Sequence, residues 1–349
     1  MKFDFNDILI EPSIITDIMS RSEVKVTYED EYLPIFTAPM DTVVSIESKE
    51  LFLKNKIRAI IPRTILVPMT ESAFKDGTFV SLGINEFKSF VVSRDTFKAN
   101  ILVDIANGHM SELLTLTQYA KKKFGSDLTL MVGNIANPET FALFSDAGAD
   151  FIRVGIGNGG GCLTTVQTGV GYPMASLINE CYNVSCRLKN PAKIVADGGF
   201  KNYSDIIKAL SLGADYVMLG SILNKALESA GDTYLENVKK EGWTEPGERV
   251  NQYAKETEDL FLHGTKMYKK FRGMSTKEAQ RAMGKTELKT SEGVTRIQQV
   301  EYTLEGWCDN FKSYLSSAMS YSNARTLEEF IGKAKWNLIS MNSYNRFNK

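Results

Sequence analysis

Apolar residues along this chain gather into short continuous runs, and the runs alternate with stretches of helical period. The runs lie at 34–38, 58–61, 78–82, 100–105, 128–132, 151–154, 193–196 and 216–219. Several are apolar at consecutive positions, as in strands covered on both faces. Between them, 138–147 and 203–212 read as amphipathic helices, each stopped by a glycine. The recurring Ala147-Gly148-Ala149-Asp150 and Leu212-Gly213-Ala214-Asp215 read as helix end, glycine, next strand. Such βα units predict a parallel sheet, and about eight of them is the count of a (β/α)8 TIM barrel. After Ser221 the pattern changes. Residues 222–262 read as helical and charged, with 228–262 as a surface insertion and a turn at 242–247. Residues 263–305 lack a clear period and contain Gly264, Gly273, Gly284 and Gly293, as a lid or active-site flap would. Helices are expected at 306–320 and 326–332, followed by a loose polar tail.

Composition adds exclusions. The chain has 349 residues, 43% hydrophobic and 24% charged, with a formal net charge of -1. That balance implies neither a nucleic acid nor another polyanion as partner. No apolar run approaches the ~20 residues of a membrane span, and Met1–Asp7 has no signal-peptide pattern. Four cysteines, at 162, 181, 186 and 308, show no disulfide or zinc spacing, which fits a reducing cytoplasm. Two histidines, His109 and His263, are too few for a multi-histidine metal site.

Chemistry concentrates just after the strands. Pro39-Met40-Asp41, Pro62-Arg63, Asp104 through Gly108, Gly133-Asn134, Gly155 through Thr164, Asp197-Gly198-Gly199 and Gly220-Ser221 all follow apolar runs. Barrel enzymes place their catalytic groups at that C-terminal rim. The richest segment is Gly155-Ile156-Gly157-Asn158-Gly159-Gly160-Gly161-Cys162-Leu163-Thr164. Glycines let backbone approach a ligand closely, and a cysteine on such a loop is a candidate nucleophile. Tyr172, Trp243 and Trp307 read as packing residues rather than ligand stackers.

Taken together these segments resemble the IMP dehydrogenase/GMP reductase family over nearly the whole chain. Phe5 through Pro12 with Ser20-Arg21 looks like its N-terminal strand pair, and Pro34 through Asp41 like its first barrel strand. Gly155 through Thr164 is similar to its catalytic cysteine loop. Ala196 through Gly199 and Met218 through Ser221 resemble its ribose and phosphate elements. Arg272-Gly273-Met274-Ser275 and Ser291-Glu292-Gly293 resemble its flap. The space between Arg63 and Thr78 leaves no room for the regulatory (CBS) domain many dehydrogenases insert there, so one catalytic domain is expected over 1–349. Three features resemble the reductase branch: Asp104-Ile105-Ala106-Asn107-Gly108-His109, Thr168-Gly169-Val170-Gly171-Tyr172-Pro173, and a short flap. On that flap Arg281 precedes Ala282, not the tyrosine of the dehydrogenases' water-activating pair.

The resemblance implies NADPH-dependent reductive deamination of GMP to IMP. Cys162 would be the nucleophile, with Thr164 and Glu292 as proton relay. Asp197, Gly198, Gly199, Gly220, Ser221, Arg272, Gly273 and Met274 would hold the nucleotide. Asp104, Ala106, Asn107 and Gly108 would face the cofactor, with NADPH and NADH not distinguished by any basic pocket in the sequence. Backbone carbonyls of Gly155, Gly157 and Cys162 could hold K+, and a homotetramer is implied. One departure matters. Asn158-Gly159-Gly160-Gly161 stands where relatives have proline, glycine, serine and an aliphatic or basic residue, so Gly160 lacks a hydroxyl that helps bind phosphate in many of them. A lost hydrogen bond to a charged group costs roughly 1.5–3 kcal/mol unless another donor replaces it. The expectation is a deoxy or modified guanine nucleotide, or a phosphate seated differently. The alternatives are an NAD-dependent IMP dehydrogenase forming XMP, a binding protein that kept the barrel, and a phosphate-binding flavin barrel.

Overall fold

The computed structural model describes residues 1–236, 247–288 and 290–347, without the side chains of Glu71, Ser72 and Lys75. Trp243 and most of the turn expected at 242–247 lie outside the described residues. A first strand, β1 (Ile8–Ile10), precedes eight parallel strands: β2 (Ile35–Thr37), β3 (Ile60–Ile61), β4 (Phe79–Leu82), β5 (Ala99–Asp104), β6 (Leu128–Ile135), β7 (Phe151–Val154), β8 (Lys193–Asp197) and β9 (Tyr216–Leu219). Their order, β2-β9-β8-β7-β6-β5-β4-β3, runs round a ring. A parallel bridge from Phe36 to Arg58, just before β3, links its two ends. This is the expected TIM barrel.

Period-two alternation builds two cores. Inward side chains Phe36, Ile60, Phe79, Leu102, Met131, Val195, Tyr216 and Met218 form a plug inside the ring, where Phe36, Phe79 and Phe151 meet edge to face. Outward residues of the same strands pack on the surrounding helices. The Pro138–Asp146 helix shows the local logic. Asn137 caps it by accepting from the Glu139 and Thr140 amides, and Pro138 opens it. Phe141 and Phe144 then turn into the outer core.

Three expectations change. The N-terminal strand pairs with a C-terminal one: β1 is antiparallel to the last strand of the chain, Trp336–Leu338, while Ser20 caps a short 3-10 turn at Arg21–Glu23. The 228–262 insertion is only partly helical. It contains β10 (Thr233–Leu235), β11 (Arg249–Val250) and the helix Lys255–Leu262. The flap region supplies β12 (Met267–Arg272), the helix Lys277–Ala282 and β13 (Thr295–Gln299). These strands form one antiparallel sheet, ordered β11-β10-β12-β13, so insertion and flap are a single β unit. Charged residues such as Lys269 on β12 obscured it, because the lysine is fully buried there instead of facing water. The terminal strand, β14 (Trp336–Leu338), leads into a helix at Met341–Phe347, where a loose tail was expected.

Candidate active site

The inward face of the strands turns polar one layer above the apolar plug. Asp104 stands two residues after Leu102, Arg153 two after Phe151, and Asp197 two after Val195, so all three point into the ring. Arg153 ties the acids together: Nη1 donates to Asp104 Oδ1 at 2.6 Å and Nε to Asp197 Oδ2 at 3.0 Å. It reaches across β6 because its neighbour there is Gly133; a Cβ on Gly133 would stand 2.6 Å from Arg153 Cβ. Burial opposes the charge on Arg153, but Asp197 and then Asp104 outweigh it and hold the guanidinium above its ordinary pKa. Asn134 completes the layer. Its Nδ2 donates to Asp197 Oδ2 and to the Gly155 carbonyl, both at 2.7 Å. Its backbone carbonyl accepts from Gly108 N at 2.8 Å, tying down the 104–108 loop. Asp197 thus meets its protein partners through Oδ2, leaving Oδ1 for a ligand.

The cysteine loop crosses the rim directly after β7. Gly155 takes φ +131° with its Cα against the Asp197 carbonyl, where a Cβ would sit 2.3 Å away, so only glycine fits. Beyond it, Cys162 forms an antiparallel bridge with Gly293 of the flap. Leu163 N donates to Glu292 O at 2.7 Å, Val294 N to Gly161 O at 3.0 Å, and Gly273 N to Val294 O at 2.9 Å. Both flap segments are therefore stitched to the cysteine loop. That stitching brings three side chains into line: Cys162 Sγ donates to Thr164 Oγ1 at 3.2 Å, and Thr164 Oγ1 donates to Glu292 Oε2 at 2.6 Å. Cys162 is half-buried, whereas burial raises the thiol pKa of Cys181 and takes that of Cys308 to about 12.

The other expected residues distribute around this centre. The Gly198 backbone packs against Gly159, and Gly199 faces Asn158. Gly220 and Ser221 follow β9, with the Ser221 hydroxyl beside Gly160. Gly273 and the half-buried Met274 sit at the flap contact. Arg272 turns its side chain elsewhere: it is buried in ion pairs with Asp41 and Glu278, so only its backbone can serve a ligand at the cysteine. Ala106 and Asn107 stand exposed at the rim beside Asp104. Of the three carbonyls considered for K+, that of Gly155 already accepts the Asn134 amide. Among the described residues, no group of three or more His, Cys, Asp or Glu side chains could hold a metal ion. Trp307 and Tyr172 are packing residues as expected. Trp307 stacks on Phe311, and Tyr172 donates to Glu180.

Arg153 and Arg296 were not singled out from the sequence, and Asn134 was named only as a rim residue. A signal existed for the first, because an arginine inside the apolar run Phe151-Ile152-Arg153-Val154 needs a buried partner. Nothing local marks Arg296, whose guanidinium reaches the cysteine loop only through the folding of the flap.

A closed parallel barrel with a polar layer and a cysteine-bearing glycine loop at one end is the layout of a barrel enzyme. Comparison with known proteins defines which kind. The model of the IMP dehydrogenase/GMP reductase domain matches residues 94–243. The chain is 30% identical to human GMP reductase 2 over 350 aligned positions, covering 94% of this chain and 92% of the relative. It is 28% identical over 372 positions to the GMP reductases of Photobacterium profundum and Vibrio vulnificus, covering all of this chain and 98% of each relative. The chain belongs to the IMP dehydrogenase/GMP reductase family, a family of oxidoreductases.

Proposed function

We propose that this protein is an NADPH-dependent GMP reductase, converting GMP to IMP and ammonia through a covalent bond between Cys162 and C2 of the purine. The observation that carries this reading is the directed line Cys162–Thr164–Glu292. The thiol proton passes through the Thr164 hydroxyl to the Glu292 carboxylate as sulfur attacks C2. The C–S bond forms, and Glu292 with Thr164 returns that proton to the amino group, so the C2–N bond breaks and ammonia leaves. NADPH, when bound, supplies the hydride that takes the amino group's place at C2. The C–S bond then breaks, and the departing thiolate takes up a fresh proton that enters from solvent through Glu292 and Thr164; a second solvent proton converts ammonia to ammonium. Over the cycle, GMP, NADPH and two protons give IMP, NADP+ and ammonium.

The remaining residues bind and orient. Asp197 Oδ1 accepts from the ribose hydroxyls, while Arg153 and Asn134 keep the carboxylate aimed. Backbone of Gly198, Gly199 and Gly220 with the Ser221 hydroxyl receives the phosphate. Backbone of Arg272, Gly273 and Met274 covers the base. Asp104, Ala106, Asn107 and Gly108 would hold the nicotinamide end of the cofactor, an acceptor with an exposed rim suiting a carboxamide. K+ fits less well, because the Gly155 carbonyl is already engaged, and no step is derived through it. Exposed apolar Ile14, Ile15 and Met19 on the N-terminal arm support an assembled, homotetrameric enzyme. The four free thiols support a reducing compartment such as the cytoplasm.

The test is direct. Purified protein with GMP and NADPH should lose nicotinamide absorbance, and Glu292→Gln should slow that loss roughly 10²–10⁴-fold. Gain of absorbance with IMP and NAD, and none lost with GMP, would make the protein a dehydrogenase instead.

A further inference from the structure

Arg296 lies on β13 opposite Phe271 of β12, and its guanidinium rests over that ring at 5.0 Å. It is exposed, and it makes no ion pair among the described residues. Its free edge faces the cysteine loop at Gly160, the position without the serine hydroxyl. A Cβ built on Gly160 would stand 3.4 Å from Arg296 Nη2, 3.9 Å from Nη1 and 3.5 Å from Ser221 Oγ. Two guanidinium nitrogens and a hydroxyl thus converge on a single point. The arrangement is braced: Gln298, two residues along the same strand, donates to the Ser221 carbonyl at 2.9 Å and to Asn224 Oδ1 at 2.5 Å. β13 therefore holds Arg296 and Ser221 in one register.

We propose that Arg296 binds the phosphate of the purine nucleotide, its fork and the Ser221 hydroxyl closing on the anion over Gly160. A planar guanidinium presenting two N–H groups suits a phosphate dianion, and its ring platform fixes the plane at little cost in side-chain freedom. The proposal rests on the reading of this site as a nucleotide-binding reductase and deepens it. The missing hydroxyl at 160 then needs no unusual purine, because a stronger donor occupies its neighbourhood. It also defines the substrate class as a nucleoside monophosphate. The bare nucleoside would leave Arg296 unpaired.

Binding and turnover are to be measured with GMP, guanosine and NADPH on wild type, Arg296→Gln and Arg296→Lys, with thermal unfolding as the check on folding. The expected result is a Kd and KM for GMP raised about 10- to 100-fold in Arg296→Gln. Arg296→Lys should be intermediate, kcat should change far less than KM, and guanosine and NADPH constants should hold. Equal loss on GMP and guanosine, loss on NADPH instead, or no loss at all would overturn the assignment. If wild type itself neither binds nor reduces GMP, the reductase reading falls and takes the assignment with it. An active wild type with an indifferent Arg296→Gln sinks the assignment alone.

Discussion

Gly273→Ala adds one methyl group at the seam between flap and cysteine loop, and the structure sets the size of the effect. The new Cβ would stand 2.4 Å from the Gly161 carbonyl oxygen, about 1 Å inside ordinary contact, and 3.3 Å from Gly293 Cα. Both neighbours are backbone, so neither can swing away as a flexible side chain would. Gly273 does not sit at a positive φ, so contact alone, not backbone strain, penalises alanine. If the flap stays, overpacking costs about 1–3 kcal/mol. If it draws back, bonds such as Val294 N to Gly161 O and Leu163 N to Glu292 O are at stake, at about 1 kcal/mol each. Moving Glu292 by the same 1 Å would stretch its 2.6 Å bond to Thr164 to about 3.6 Å, past hydrogen-bonding range. A displacement of that size at a reacting centre costs roughly 10²-fold in rate. The assay is steady-state oxidation of NADPH with GMP, accompanied by thermal unfolding and titration of accessible thiols. We expect kcat to fall about 100-fold, the midpoint to drop by a few degrees, and Cys162 to remain titratable. Wild-type kcat in this variant would refute the reasoning, because the flap could not then be pressed against Gly161 during turnover.

Two further perturbations probe the frame beneath the site. Arg153→Leu strands Asp104 and Asp197 in the barrel mouth; because both keep some solvent, the cost should be about 3 kcal/mol, the low end for a broken buried pair. Urea denaturation measures it, and an unchanged midpoint would remove Arg153 from its bridging role. Lys269 is fully buried, and burial, opposed by Glu228, takes its ammonium pKa down to about 7. The unfolded chain holds that proton up to about pH 10.5. The contribution of Lys269 to stability therefore rises with pH from 7 to about 10.5 and is lowest below 7. Lys269→Met should flatten that rise by on the order of 4 kcal/mol, giving a larger gain at pH 7 than at pH 10. Parallel stability curves for the two proteins would contradict it.

The barrel was readable because its signal is local. The runs at 151–154 and 216–219 coincide with β7 and β9, since a strand covered on both faces is apolar at almost every position, Arg153 being the exception where Asp104 and Asp197 pair it. That Cys162, Thr164 and Glu292 would meet was readable through resemblance, although Thr164 and Glu292 lie 128 residues apart. The sheet joining insertion and flap was not. Its strands are short and mixed polar and apolar, and β12 buries Lys269 against the Ser229 carbonyl and hydroxyl, a pairing that no local pattern announces.

Side-chain direction repeats every two residues in a strand and every 3.6 in a helix, so residue order alone assigned the eight-fold alternation, its two buried faces and the rim that carries the chemistry. It could not assign neighbours across a gap. That Arg153 spans Gly133 to reach both Asp104 and Asp197, that the flap locks onto Gly161, and that Arg296 stands near Gly160 follow from ring closure and docking of the flap sheet. Those are long-range contacts between segments whose local preferences contain no trace of each other.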